Sequence, residues 1–219
     1  MSEALPDPIA DNFPAIRSSH LKTISRRSRL IRVFSHGGSH AIKWNEPRHY
    51  GPLVTGRFDH HPVGAPSYDA THSVWYAALE TGNDNNGLHT AIAERFQDTR
   101  VVPLSSGDSS LVICRPDRDL RVLNLDSRWI TQAGGNAAIT SGPRSQSRKW
   151  AREIRKRYPH LDGLTWSSSV HPPGKAIVLW DHDSGALAPY ADLISPLGGL
   201  AKVLVPVVAD LAYRTSVVL

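Results

Sequence analysis

Asp162-Gly163-Leu164-Thr165-Trp166-Ser167-Ser168, followed closely by Ala176-Ile177-Val178-Leu179-Trp180, is the stretch whose reading decides the fold. Residues 163–166 and 176–180 read as two strands. Just before them, Trp150, Ile154 and Tyr158 recur on one face of a helix over residues 148–158, with basic residues on the other face. Ser145 or Ser147 would cap that helix, and Pro159 ends it. Further upstream, strands are expected at residues 30–34, 73–77, 110–114 and 121–125. A short amphipathic helix is expected at 88–96, where Leu88, Ile92 and Phe96 recur every four positions and Glu94 lies off their stripe. The long Gly, His and Pro-containing stretch that reaches Thr55 reads as a functional loop, residues 81–86 as a turn-forming insert and residues 131–143 as a Gly and Ser-rich loop. Residues 197–211 are expected as a helix kinked around Pro206, with a last strand at 216–219. No internal repeat is visible, and nothing demands a domain boundary.

The chain has 219 residues, 40% of them hydrophobic, enough to bury a substantial core in one domain. Its formal net charge of +5 and pI of about 9.6 suit an anionic partner: a nucleotide, a nucleic acid or an acidic protein. The lone Cys114 has no partner for an internal disulfide, and its neighbours Leu111, Val112 and Ile113 predict a buried strand position. The N-terminus lacks an apolar segment of signal-peptide length and no run approaches a membrane span, so a cytoplasmic protein with no membrane partner is expected. Residues 1–29 are polar and Pro-broken and end in Ser25-Arg26-Arg27-Ser28-Arg29. They read as an N-terminal arm or a short packed helix ahead of a domain over residues 30–219.

Five motifs bear on function. Leu30-Ile31-Arg32-Val33, Gly56-Arg57-Phe58-Asp59, Trp75-Tyr76-Ala77, Ala91-Ile92-Ala93-Glu94 and the Asp162 to Ser168 stretch, in that order, resemble the RES domain, a family named for an arginine, a glutamate and a serine. The resemblance extends from about residue 30 to about residue 179, and its specificity lies in the order and local context of the motifs. It implies an α/β (α+β) fold of the ADP-ribosyltransferase-like class, a central sheet flanked by helices in a single domain. It implies NAD+ as a substrate, cleaved at its N-glycosidic bond, and a toxin whose cognate antitoxin, of Xre type, covers the active site and forms an oligomer with it. Nucleic acid would then be met only indirectly, through the antitoxin. Some members of the family deplete NAD+ by hydrolysis or phosphorolysis, and others are linked to protein ADP-ribosylation.

Cleaving that bond calls for a pyrophosphate clamp, a surface for the nicotinamide ring and a negative charge beside the ribose as it becomes an oxocarbenium ion. Arg32 and Arg57 match the family's two N-terminal arginines, and guanidinium holds phosphate through paired hydrogen bonds. Arg32 sits in an apolar strand, where an unpaired charge is expensive, so an anionic partner is expected for it. Strand alternation sends Trp75 and Tyr76 to opposite faces; the resemblance places Tyr76 at the cleft, while a core tyrosine is the alternative. Glu94 matches the family glutamate, with Glu80 as competitor, and the interval from Tyr76 to Glu94 is longer than is usual in the family. Ser168 aligns with the family serine, Ser167 is one register away, and Trp166 stands where the family has tyrosine. His171 is a further candidate for the cleft lining. The catalytic set that the resemblance implies is Glu94, Arg32 and Ser168, with Arg57, Tyr76, Ser167 and His171 expected to bind substrate. His60-His61 and Asp181-His182-Asp183 lack zinc-site spacing, so no metal is expected. A P-loop and a Gly-x-Gly-x-x-Gly motif are both absent. In the alternative reading, the basic residues of 25–29 and 148–157 form a nucleic-acid-binding module without catalysis.

Overall fold

The apolar run Lys175–Trp180 lies in the middle of a mixed sheet because its side chains are buried on both faces. The computed structural model describes residues 4–37, 41–80, 86–105, 108–180 and 186–216. Among these the strands are β1 (Leu21–Ile24), β2 (Leu30–Ser35), β3 (Tyr50–Gly51), β4 (Ser67–Tyr68), β5 (Val74–Leu79), β6 (Val101–Pro103), β7 (Ser109–Cys114), β8 (Leu120–Asn124), β9 (Gly163–Ser167), β10 (Lys175–Trp180), β11 (Leu193–Pro196) and β12 (Arg214–Ser216). The helices are α1 (Asn86–Phe96), α2 (Trp129–Gln132), α3 (Ala138–Ser141), α4 (Arg144–Arg157) and α5 (Ala201–Asp210). Eight strands form the main sheet in the order β1-β8-β9-β10-β5-β2-β7-β11. The β8–β9 pair is parallel and the other pairs are antiparallel. Flanked by helices, this sheet makes a single α/β domain.

Alternation along β5 sorts the core. Trp75 and Leu79 join Leu30, Val112, Cys114, Ile177 and Leu179 on one face. Val74, Tyr76 and Ala78 point to the other, where α4 covers one half through Trp150 and Ile154, and α1 and α5 cover the rest through Ile92, Phe96 and Leu204. Cys114 is buried as its neighbours foretold, and burial pushes its thiol up to about 12. The expected strands and the 88–96 helix are present, the helix starting two residues earlier at Asn86, and the 197–211 segment is helical around Pro206. The 181–183 candidate and most of the 81–86 insert lie outside the described residues, as does the 216–219 strand beyond Ser216.

Three segments differ from the sequence reading. Helix α4 begins at Arg144, with Pro143 at its cap and no side-chain cap, so Ser145 and Ser147 lie inside it. Proline's fixed φ delivers the chain into the helix, and Ser147 Oγ instead donates to the Ile139 carbonyl at 2.7 Å. The Gly and Ser-rich 131–143 loop carries helix α3 and the end of α2, since Trp129, Ile130 and Ile139 fold inward onto α4. Of the two readings of the N-terminal segment, a loose arm or a short packed helix, the packed one is nearer: it carries two single 3-10 turns, Ala10–Asn12 and Ser18–His20, and folds against the domain. Leu5 and Phe13 are buried, Phe13 packs on Trp129, Trp150 and Tyr158 with ring centroids 5.2, 5.5 and 6.3 Å away, and β1 completes the sheet edge against β8. Trp150 Nε1 donates to the Pro6 carbonyl (2.8 Å) and Tyr158 Oη to that of Pro14 (2.5 Å), so the polar tips of buried aromatics need this segment as a partner. Among the described residues no helix is long and apolar enough to cross a membrane.

Removing the Phe13 ring is expected to cost about 3–5 kcal/mol, the usual penalty for emptying an aromatic core position. Urea unfolding of Phe13→Ala checks this, and an unchanged midpoint would return residues 4–20 to the status of a loose arm.

Candidate functional site

Strands β2 and β5 pair at only two positions, Leu30 with Leu79 and Ile31 with Ala78. Beyond these they part, although β2 stays paired with β7 through Ser35 and β5 with β10 through Val74. The gap closes again where Arg48 bridges to Val74. Between these points opens a cleft of about 320 Å³, lined at the parting by Arg32, Val33, Tyr76 and Ala77, and around its mouth by Gly56, Arg57, Glu94 and Arg144.

The loop after β3 delivers Gly56 and Arg57, and Asp59 holds it. That buried carboxylate accepts from Arg48 Nη2 (2.8 Å), the Leu53 N–H (2.8 Å), His61 Nδ1 (2.6 Å) and the His61 N–H (3.2 Å). Burial alone would raise its pKa; the His61 and Arg48 contacts outweigh it and hold the carboxyl well below the usual range. A Cβ on Gly56 would lie 3.0 Å from Asp59 Cβ and 3.4 Å from Tyr76 Oη, so glycine lets the loop close over both. Arg57 donates through Nη1 to the Gly142 carbonyl (2.7 Å) and Ser147 Oγ (3.3 Å), which fixes it on the approach to α4. The Tyr76 ring is half-buried against the cleft and its hydroxyl is sealed beneath, without a hydrogen bond of acceptable geometry among the described residues. Burial and nearby Asp59 push this phenol far above its ordinary value, although the Phe58 backbone lies close enough to oppose the rise.

Glu94 and Ser168 meet across 74 positions of sequence. Ser168 Oγ donates to Glu94 Oε1 at 2.7 Å and accepts from the N–H groups of Val170 (3.3 Å) and His171 (3.1 Å). The turn between β9 and β10 reaches α1 because of Gly174, where a Cβ would fall 1.7 Å from Thr90 Oγ1. Burial raises the Glu94 pKa; Ser168, Arg57 and Arg144 oppose the rise without cancelling it.

The remaining candidates fall elsewhere. Ser167 turns outward to Asp126 Oδ2 (3.1 Å) and Lys175 Nζ (2.6 Å), as alternation requires. His171 does not line the cleft; it bonds to Thr90 Oγ1 (2.9 Å) and stacks on His89 at 5.7 Å. Glu80 follows β5 directly and, among the described residues, its side chain accepts a long bond from the Gly87 N–H (3.4 Å). Arg32 shares the Trp75 face, with its guanidinium carbon 5.1 Å from the indole centroid and Nη1 donating to the carbonyls of Trp44 and Glu46 (3.2 Å each). The anionic partner expected for it is thus replaced, among the described residues, by carbonyl dipoles and an aromatic face. Burial draws its pKa down to about 9, which leaves it charged at neutral pH. Sequence reasoning missed Arg48, Arg144 and the anchoring role of Asp59, although Asp59 belongs to the quoted Gly56 to Asp59 motif. His60 and His61 are both buried, and among the described residues no group of three or more His, Cys, Asp or Glu side chains is placed to hold a metal ion.

A family model describing the RES domain matches residues 29–197. The chain belongs to the RES domain family. RES domains occur in NAD-related toxin families and are associated with NAD and antitoxin partners. No curated protein matches this chain at a significant level. The cleft residues discussed, from Arg32 to Arg144, and Ser168 buried beside Glu94 all fall within the RES match. Of the three residues that the sequence resemblance singles out, Glu94 and Ser168 touch, while Arg32 is held by a separate pair of carbonyls.

A carboxyl whose pKa is raised on folding loses stability as pH climbs from its unfolded to its folded value. Glu94→Gln is therefore expected to raise the thermal midpoint at pH 7.5 relative to the parent. The difference should close as pH falls below 4.5, the ordinary glutamate value; a gap that persisted or reversed would show that the ionised carboxylate is not penalised.

Proposed function

We propose that this RES domain cleaves the N-glycosidic bond of NAD+, releasing nicotinamide and passing ADP-ribose to water or inorganic phosphate. The observation that carries this reading is the half-buried Glu94 carboxylate, hydrogen-bonded to Ser168 and sharing with Arg57 a cleft between parted strands. In its ionised form Glu94 would sit beside the nicotinamide ribose and stabilise the oxocarbenium charge. Breaking the bond leaves its electron pair on nicotinamide, whose ring becomes neutral, so no acid is needed for departure. Water then adds to the sugar carbon with loss of a proton to give ADP-ribose, or phosphate adds to give the 1-phosphate ester. The half-buried Tyr76 ring supplies a surface for the leaving ring, and the Ser168 hydroxyl fixes the carboxylate. In a cell this activity would drain NAD+ and act as a toxin held in check by an antitoxin seated over the cleft.

The nucleic-acid reading finds less support. Arg148 donates to the carbonyls of Leu53, Val54 and Gly56, Lys149 pairs with Asp7 and Arg29 with Asp192, so several of its basic side chains are engaged within the fold.

Purified protein is expected to release nicotinamide from NAD+, with the product after incubation in phosphate identifying the acceptor. Glu94→Gln should lower turnover by about 10³-fold while Glu80→Gln leaves it unchanged. No nicotinamide in either buffer, or full activity in Glu94→Gln, would overturn the assignment. The acid limb of kcat/KM should lie above 4.5, because activity requires a carboxylate that burial makes harder to ionise.

A further inference from the structure

Five arginines line the described cleft: Arg32, Arg48, Arg57, Arg95 and Arg144. Four have hydrogen bonds that fix them: Arg32 to two carbonyls, Arg48 to Asp59, Arg57 to Gly142 and Ser147, and Arg95 to Ser35 Oγ at 3.1 Å. Arg144 has none to any described residue. Its one ion pair among the described residues is a long contact of 3.7 Å to Asp98, which is itself 70% exposed. Yet Arg144 opens α4 within the corner, residues 142–147, that supplies both anchors of Arg57. The two guanidiniums repel each other, and both attract Glu94. Two cations thus share one half-buried carboxylate, with one of the two held by no hydrogen bond to a described residue, and the arrangement favours a ligand that brings two negative charges of its own.

We propose that Arg144 is a binding residue for the pyrophosphate of the dinucleotide, acting with Arg57, and that this pair, rather than Arg32, forms the phosphate clamp. The inference rests on the NAD+ reading and deepens it. The pyrophosphate carries two negative charges and four non-bridging oxygens, enough for a fork from each guanidinium. Asp98 then acts as a weak intramolecular competitor that Arg144 leaves when substrate arrives. The Arg32 strap would position β2 at the parting instead of holding phosphate.

The test is calorimetric titration with ADP-ribose, which has the pyrophosphate and lacks nicotinamide, and with adenosine, which has neither, alongside NAD+ kinetics. Arg144→Gln is expected to weaken ADP-ribose binding and raise KM for NAD+ by about tenfold or more, the loss of one charge-assisted contact. It should change kcat less than threefold and leave adenosine binding as it was. Arg144→Lys should fall between, since it keeps the charge without the fork, and Asp98→Asn should tighten ADP-ribose. Arg144 is partly exposed, and an unchanged thermal midpoint would confirm that Arg144→Gln is folded. Parent-like ADP-ribose affinity in Arg144→Gln, or an equal loss of ADP-ribose and adenosine, would overturn the clamp while leaving the NAD+ reading standing. A parent protein that neither binds ADP-ribose nor releases nicotinamide would overturn the NAD+ reading and the clamp with it.

Discussion

The parting of β2 from β5 is the constraint around which the molecule is arranged. Two central strands that separate after two paired positions leave backbone groups without a ladder, and a buried opening of that kind has to be closed by other groups. The chain closes it at Arg48 and Val74, then folds residues 48–61 back over the gap and fastens them through Asp59. A fully buried carboxylate is costly unless it is paired and saturated with donors. Asp59 has a guanidinium, an imidazole and two backbone N–H groups, so the loop has one strongly preferred position.

The same parting divides the helical side of the sheet. On one flank α4 and the N-terminal segment pack on the Trp129, Trp150 and Tyr158 cluster; on the other, α1 and α5 pack on Ile92 and Leu204. Each flank contributes to the cleft: Arg144 comes from the first, Glu94 from the second, and the turn after β9 reaches across to put Ser168 against Glu94. Burial leaves Glu94 harder to ionise than a free glutamate while arginines draw it the other way. A half-buried carboxylate held in such balance responds more strongly than a fully solvated one to a cation that develops beside it.

Much of this was legible in the sequence. The strands that became β2, β5, β7, β8, β9 and β10 show as short apolar runs between turn residues, and α1 and α4 show their four-residue spacing. The pairing of an early arginine motif with a glutamate motif and a serine motif named the family, and the family model agrees over residues 29–197. The N-terminal segment reads as an arm or a short packed helix because it carries few apolar residues, and the 131–143 stretch reads as a loop because it is rich in Gly and Ser. Leu5, Phe13 and Ile139 gain their importance from aromatic side chains supplied by α2 and α4.

The sequence by itself determined the central strands, the helices α1 and α4, the family and the identity of the charged groups available, since periodicity and local motif order are properties of neighbouring residues. Only the tertiary structure decided which groups meet. It chose Ser168 over Ser167 as the neighbour of Glu94, because strand alternation sends one inward and the other to Lys175. It left Glu80 away from the cleft, turned His171 towards Thr90, and gave Arg32 to carbonyls while leaving Arg144 without a hydrogen bond among the described residues. Those choices depend on where β2 and β5 part and on how closely Gly174 and Gly56 allow backbone to approach side chains, distances between residues far apart in the chain that no local pattern encodes.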